Sequence, residues 1–226
     1  MIKAVFLDVD NTLLDFEQCS RQSIQQACEK HGVEFNDKLM ETFHRINNGL
    51  WKDIEKGTIT RAWLHKNRWN IIFNEIGGID VGGVAFEKDF FEGLNTIAVP
   101  IDGALELVEY LSGKYELYVV SNAEYKQQYN RLEKCEMLKN IRKIFVSADI
   151  GYSKPSKEFF DACYAELPHL KPSDTVIIGD SLSADIIGGI NYGIKSCWFN
   201  FKNESLPDGV EPDFVVNSLY QIQELL

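Results

Sequence analysis

Long apolar runs are missing from this 226-residue chain. None approaches membrane-spanning length, so no membrane partner is expected. The opening Met1-Ile2-Lys3 runs straight into an apolar segment with no basic leader or small-residue cleavage site. No secretory signal is visible, and a cytoplasmic location is expected. Cysteine is sparse: Cys19, Cys28, Cys135, Cys163 and Cys197 are odd in number and lack CxxC spacing. That pattern fits reduced, buried thiols better than a disulfide framework or a zinc site. Basic residues are outnumbered, 23 Lys and Arg against 34 Asp and Glu, for a net charge of −11. A nucleic-acid groove needs clustered cations, so no nucleic-acid polymer is expected as partner; a small anion held through a metal is compatible. Also absent are a G-x-S-x-G elbow and any pair spacing among His31, His44, His65 and His169. The stretch from Gly77 to Gly83 lacks both G-x-G-x-x-G spacing and a following Lys, and reads as a connection between helices.

Apolar residues make up 45% of the chain, ample for a core. After Asp10 the pattern changes from strand to helix and stays helical for roughly eighty residues. Leu39, Phe43, Ile46, Leu50 and Ile54 recur at three- and four-residue steps, as do Trp69, Ile72, Phe73 and Ile76, then Phe90, Leu94 and Ile97. Asn36 or Asp37 and Thr60 are candidate N-caps; Gly32, Gly57 and Gly77-Gly78 are candidate stops. From Pro100 the alternation of strand and helix resumes, with apolar runs at 116–120, 143–146, 175–178 and 196–199 and a short edge run at 214–216. Near-continuous apolar strands separated by helices predict a Rossmann-like α/β core, a parallel sheet with helices on both faces. The expected division is a core of 1–15 and 99–226 and an inserted all-helical cap of 16–98, set over the carboxyl ends of the strands.

The first strand ends in two acids, Asp8 and Asp10, and the later strands lead to Ser121-Asn122, Lys154-Pro155, and Gly179-Asp180 with Asp185. Parallel strands share direction, so these groups converge on one sheet edge. Each has an ordinary reading alone: a solvated turn for the first acids, a helix cap for Ser121-Asn122 or Asp180, a surface position for Lys154 or Asp185. Together they make a chemical set. Several carboxylates without His or Cys favour a hard cation, with Mg²⁺ usual where phosphate oxygens complete the shell. A carboxylate nucleophile beside a second carboxylate able to protonate a leaving oxygen suits phosphoryl transfer. Lys154 would offset charge, and Ser121 with nearby N–H groups would hold oxygens.

With these residues the chain resembles the haloacid dehalogenase superfamily of phosphatases. Asp8-Val9-Asp10-Asn11-Thr12 matches its D-x-D-x-T motif, Ser121 the second motif, Lys154-Pro155 the third and Gly179-Asp180-Ser181-Leu182-Ser183-Ala184-Asp185 the fourth, G-D-x-x-x-x-D. The resemblance implies Asp8 as nucleophile and Asp10 as acid and base. It also implies Mg²⁺ on Asp8, the Asp10 backbone carbonyl and Asp180, with Asp185 in support. The helical insert is similar to a cap placed between the first two motifs.

A closer resemblance is to the pyrimidine 5′-nucleotidase subgroup. It rests on the residues from Leu7 to Phe16, from Arg45 to Trp51, from Lys154 to Phe160 and from Gly179 to Asn200. It implies a small phosphorylated substrate, a nucleoside 5′-monophosphate, met by Ser121, Asn122, Phe16 and Trp51, in a monomer or homodimer. The aromatic residues Trp51, Trp63, Trp69 and Phe16 otherwise read mostly as cap core. Rival expectations are a sugar-phosphate phosphatase or phosphomutase of the same superfamily, or a non-catalytic ligand-binding protein on the same fold.

Overall fold

The helical periodicities resolve into four helices in a computed structural model that describes residues 1–226. They are α1 (Phe16–His31), α2 (Asp37–Glu55), α3 (Arg61–Ile76) and α4 (Gly83–Leu94). One compact unit spans Glu17–Ile97; the other joins Met1–Phe16 to Ala98–Leu226. Phe16 and Ala98 thus group with the α/β unit, each one position away from the expected division. α2 starts where Asn36 Oδ1 accepts from the Leu39 N–H at 3.0 Å, and α3 where Thr60 Oγ1 accepts from Trp63 N–H at 3.1 Å. Leu39, Phe43, Ile46, Leu50 and Ile54 form the buried stripe of α2. Trp69 stacks on Phe43 at 5.5 Å between centroids and meets Phe86 at 4.3 Å and Phe90 at 5.4 Å. The expectation that most of the aromatic residues are core needs correction. Of Phe16, Trp51, Trp63 and Trp69, Trp69 alone is buried; Trp51 and Phe16 are half-buried and Trp63 is exposed. The spacing from Trp63 to Trp69 is not a helical repeat, so α3 turns them to different faces.

Under that aromatic core lies a polar cluster the periodicity did not reveal. Buried Arg68 donates to Glu87 through Nε at 3.1 Å and Nη2 at 2.6 Å, and to Asn47 Oδ1 at 2.7 Å, with its guanidinium 4.8 Å from the Phe90 ring centre. Three of the four histidines hydrogen-bond to acids: His31 to Asp89, His65 to Glu87 and His169 to Glu116. All five cysteines are free thiols, four of them buried. No helix is long and apolar enough to cross a membrane.

In the α/β unit, β1 (Ala4–Leu7), β2 (Glu116–Ser121), β3 (Lys143–Val146), β4 (Thr175–Gly179), β5 (Lys195–Phe199) and β6 (Phe214–Val216) form one sheet. The order is β3-β2-β1-β4-β5-β6, with every pairing parallel. Leu7 stands opposite Val119 on one side and Ile178 on the other, so the strand ends come level. The connecting helices are α5 (Ala104–Ser112), α6 (Tyr125–Lys134), α7 (Ser147–Ile150), α8 (Lys157–Ala165), α9 (Gly188–Tyr192) and the terminal turn α10 (Ile222–Leu225).

Strand side chains alternate between two cores. Val5, Leu7, Val119, Val176 and Ile178 pack with Leu107, Val108 and Leu111 of α5. Phe6, Tyr118, Val120 and Ile177 pack with Phe159, Phe160 and Cys163 of α8. Burial on both faces is why the strand interiors are apolar, with polar residues such as Glu116, Lys143, Thr175 and Lys195 at their starts. From β1 the chain builds outward through β2 and β3, then returns to the other flank with β4, β5 and β6. The carboxyl ends of β1 and β4 are therefore the switch point, where open α/β sheets bind ligands.

Candidate active site

Asp8 directly follows β1, and its N–H extends the ladder to Ile178 O at 3.0 Å. The chain then folds tightly, with the N–H groups of Thr12, Leu13 and Leu14 all donating to Val9 O and Asn11 at φ 63°. This turn carries Asp10 to the edge and buries Thr12, whose Oγ1 accepts from Asp180 N–H at 3.0 Å. The indole of Trp198 on β5 donates to Asp180 O at 2.9 Å. Asp180 is thus held from both ends of its own residue. Gly179 has a specific reason to be glycine: a Cβ there would lie 2.2 Å from Asp185 Oδ2.

Lys154 reaches this place from the loop after α7 and is 1% exposed. Its ammonium donates to Asp8 Oδ1 at 2.8 Å, Asp185 Oδ1 at 2.5 Å and Val120 O at 2.7 Å. An ammonium has three protons, and all three are engaged. Asp185, fully buried, also accepts from Ser181 N–H through Oδ2 at 3.1 Å, inside a π-helical turn over Leu182–Ile187. Asn122, expected among the substrate contacts, is bonded to the backbone of Lys154. Its amide donates to Lys154 O at 2.9 Å and accepts from Lys154 N–H at 2.8 Å, which pins the lysine loop to β2.

The electrostatics follow from burying three acids around one cation. Burial raises the Asp8 pKa most; Lys154 opposes this, Asp185 and Asp10 add repulsion, and the carboxyl is pushed up to about 7. Asp180 is driven well above the usual carboxylate range, by burial first and then by Asp8 and Asp185. Burial works to lower Lys154, yet attraction to Asp185 and Asp8 outweighs it and leaves the ammonium held more firmly than usual. Carboxylate oxygens of Asp8, Asp180 and Asp185 all lie within 4.8 Å of one another. An all-oxygen set with surplus negative charge in a dry place fits a small hard dication such as Mg²⁺.

Asp10 stands apart from that cluster. Its carboxylate accepts from Arg131 Nη1 at 2.7 Å and Gln128 Nε2 at 2.8 Å, both from α6. Ser121 Oγ accepts from Gln128 Nε2 at 2.9 Å and Ala123 N–H at 3.2 Å. Sequence reasoning missed Gln128 and Arg131. Their signal was two polar residues placed i and i+3 on a short helix after a strand bearing Ser121, a pattern that surface helices also show. Asp8, Asp10, Ser121, Lys154, Asp180 and Asp185 are brought to one sheet edge; Phe16 and Trp51 are half-buried.

Residues 5–199 match the model of the haloacid dehalogenase-like hydrolase family. The chain belongs to that family. It is 30% identical to the HAD-hydrolase YfnB of Bacillus subtilis across 99% of this chain and 95% of YfnB. The crystal structure of YfnB bound to magnesium superposes with a TM-score of 0.93, covering 100% of this chain and 98% of that one. The pyrimidine 5′-nucleotidase YjjG of Escherichia coli is 27% identical over 98% of this chain and 96% of its own. The pyrimidine 5′-nucleotidase PynA of Streptococcus pneumoniae is 28% identical over 99% and 93%. This haloacid dehalogenase-like hydrolase therefore spans nearly the full length of its relatives.

Proposed function

We propose that this hydrolase is a Mg²⁺-dependent phosphomonoesterase acting on nucleoside 5′-monophosphates, pyrimidine ones foremost. The observation that carries the chemistry is Asp8, buried and ion-paired to Lys154 yet with an 11% exposed side chain, and Asp10 two residues on. The substrate class is supported by the two nucleotidases similar along almost the whole chain.

In the proposed reaction an Asp8 oxygen attacks phosphorus and the bond from phosphorus to the ester oxygen breaks. The proton of Asp10 passes to that departing oxygen, so the nucleoside leaves as a neutral alcohol. Water then attacks the aspartyl-phosphate, its proton returns to Asp10, the bond between Asp8 and phosphorus breaks, and inorganic phosphate departs. Lys154 has no proton left to offer, so it acts through its field, holding Asp8 and Asp185 at fixed places. Asp8, Asp180 and the Asp10 backbone carbonyl would hold Mg²⁺, with Asp185 supporting. When bound, the ion supplies charge neutralisation at the phosphoryl oxygens. Phe16 and Trp51 are proposed as contributors to base preference.

A phosphate-release panel of nucleoside monophosphates and sugar phosphates, run with Mg²⁺ and with chelator, tests the reading. Metal-dependent release fastest from pyrimidine nucleotides is the expected result. Preference for a sugar phosphate would replace the substrate class, and no release from any monoester would return the chain to a ligand-binding role.

A further inference from the structure

We propose that Gln128 and Arg131 of α6 are positioning residues for phosphoryl transfer, fixing the Asp10 carboxylate and turning the Ser121 hydroxyl into a donor toward the transferring group. The inference rests on the reading of Asp10 as acid and base, and deepens it. It starts from atoms whose roles admit no choice. A guanidinium can only donate, so Arg131 Nη1, 3.2 Å from Gln128 Oε1, fixes which end of that amide is oxygen. Gln128 Nε2 then faces the other way, and its two protons go to Asp10 Oδ2 and Ser121 Oγ.

Two consequences follow. Both oxygens of Asp10 are held from the same helix, Oδ1 by Arg131 and Oδ2 by Gln128, although Asp10 itself stands on a turn with a 25% exposed side chain. Arg131 and Gln128 are both 0% exposed, so the groups that hold the acid are themselves packed on every side. At Ser121, the two lone pairs accept from Gln128 and from Ala123 N–H. The remaining capacity of that hydroxyl is its proton, which must point elsewhere as a donor. Gln128 thereby couples the acid to the oxygen-holding hydroxyl.

The test compares kcat/KM for two esters on the full chain with Mg²⁺, because kcat/KM reports the steps through departure of the leaving group. A nucleoside 5′-monophosphate needs a proton on its leaving oxygen; p-nitrophenyl phosphate has a leaving group stable as an anion. Arg131→Met is expected to lower kcat/KM for the nucleotide by about a hundredfold and for the aryl ester by only a few-fold, since general-acid help matters for the first. Arg131→Lys, which keeps one charged donor, is expected to restore part of the nucleotide rate. Gln128→Met is expected to lower both esters, because Ser121 loses its enforced orientation whichever group leaves. Equal losses on both esters in Arg131→Met, or unchanged rates in folded Gln128→Met, would overturn the positioning role. Should Arg131→Met fail to fold, the Arg131→Lys ester ratio and Gln128→Met decide in the same way. A wild-type enzyme inactive on both esters overturns the phosphatase reading itself, a result separate from the ratio.

Discussion

Asp10 and Gly179 show how single residues hold the chemistry. The proposed acid needs its exchangeable proton, so Asp10→Asn should cut the rate on alkyl phosphates by about a hundredfold or more. Circular dichroism should show the fold retained, because the turn at Asn11 and the Val9 carbonyl contacts are backbone-made. Gly179→Ala is a subtler probe. The new Cβ would meet Asp185 Oδ2 at 2.2 Å, so Asp185 must shift and slacken its grip on Lys154. Relieving that contact takes a shift of about 1 Å, and a misplacement of about 1 Å near the reacting atoms costs about a hundredfold. Steady-state kcat on a nucleotide should report it with little change in KM. At this scale much was legible in the chain: Asp8, Asp10, Ser121, Lys154, Asp180 and Asp185 stand at strand ends or the loops beyond them because parallel strands deliver their ends to one edge. Asn122 was expected among the substrate contacts, and its tie to the lysine loop was not legible in the chain. Only the fold shows that Lys154 backbone takes it up.

The elements were legible where one period dominates. The interiors of β1 through β5 are apolar and buried on two faces, and α2 keeps a clean stripe. What periodicity could not show is pairing across elements. Arg68 lies on α3, and its partners Glu87 and Asn47 lie on α4 and α2. The same holds for α6, whose Gln128 and Arg131 face a turn more than a hundred residues earlier in the chain. The core of the helical unit converges on Trp69, which is 1% exposed and touches Phe43, Phe73, Phe86 and Phe90. Trp69→Ala should destabilise that unit by about 3–5 kcal/mol. Hydrogen exchange should quicken in α2, α3 and α4 and leave the sheet amides protected; uniform loss throughout would mean the units unfold as one.

For the molecule as a whole, the acid cluster links metal, proton and stability. Burial pushes the Asp8 carboxyl up to about 7 from the ordinary aspartate value of 3.8, so between those values the folded chain binds a proton that the unfolded chain does not. That linkage favours the fold below about pH 4 and is lost as pH rises through about 7. Metal-free protein should therefore lose melting temperature across that window. Mg²⁺ competes with the same protons, so the gain in melting temperature on adding it should grow from about pH 5 to pH 8. A gain independent of pH would place the ion elsewhere. The most direct test of the account is acid quenching of the enzyme during turnover, followed by mass spectrometry of the peptide that carries Asp8. The account predicts one phosphoryl group on Asp8, formed and lost at the rate of turnover and absent from Asp8→Asn, which should be inactive. Rapid phosphate release with no phosphorylated Asp8, or an Asp8→Asn variant that still turns over, would contradict it.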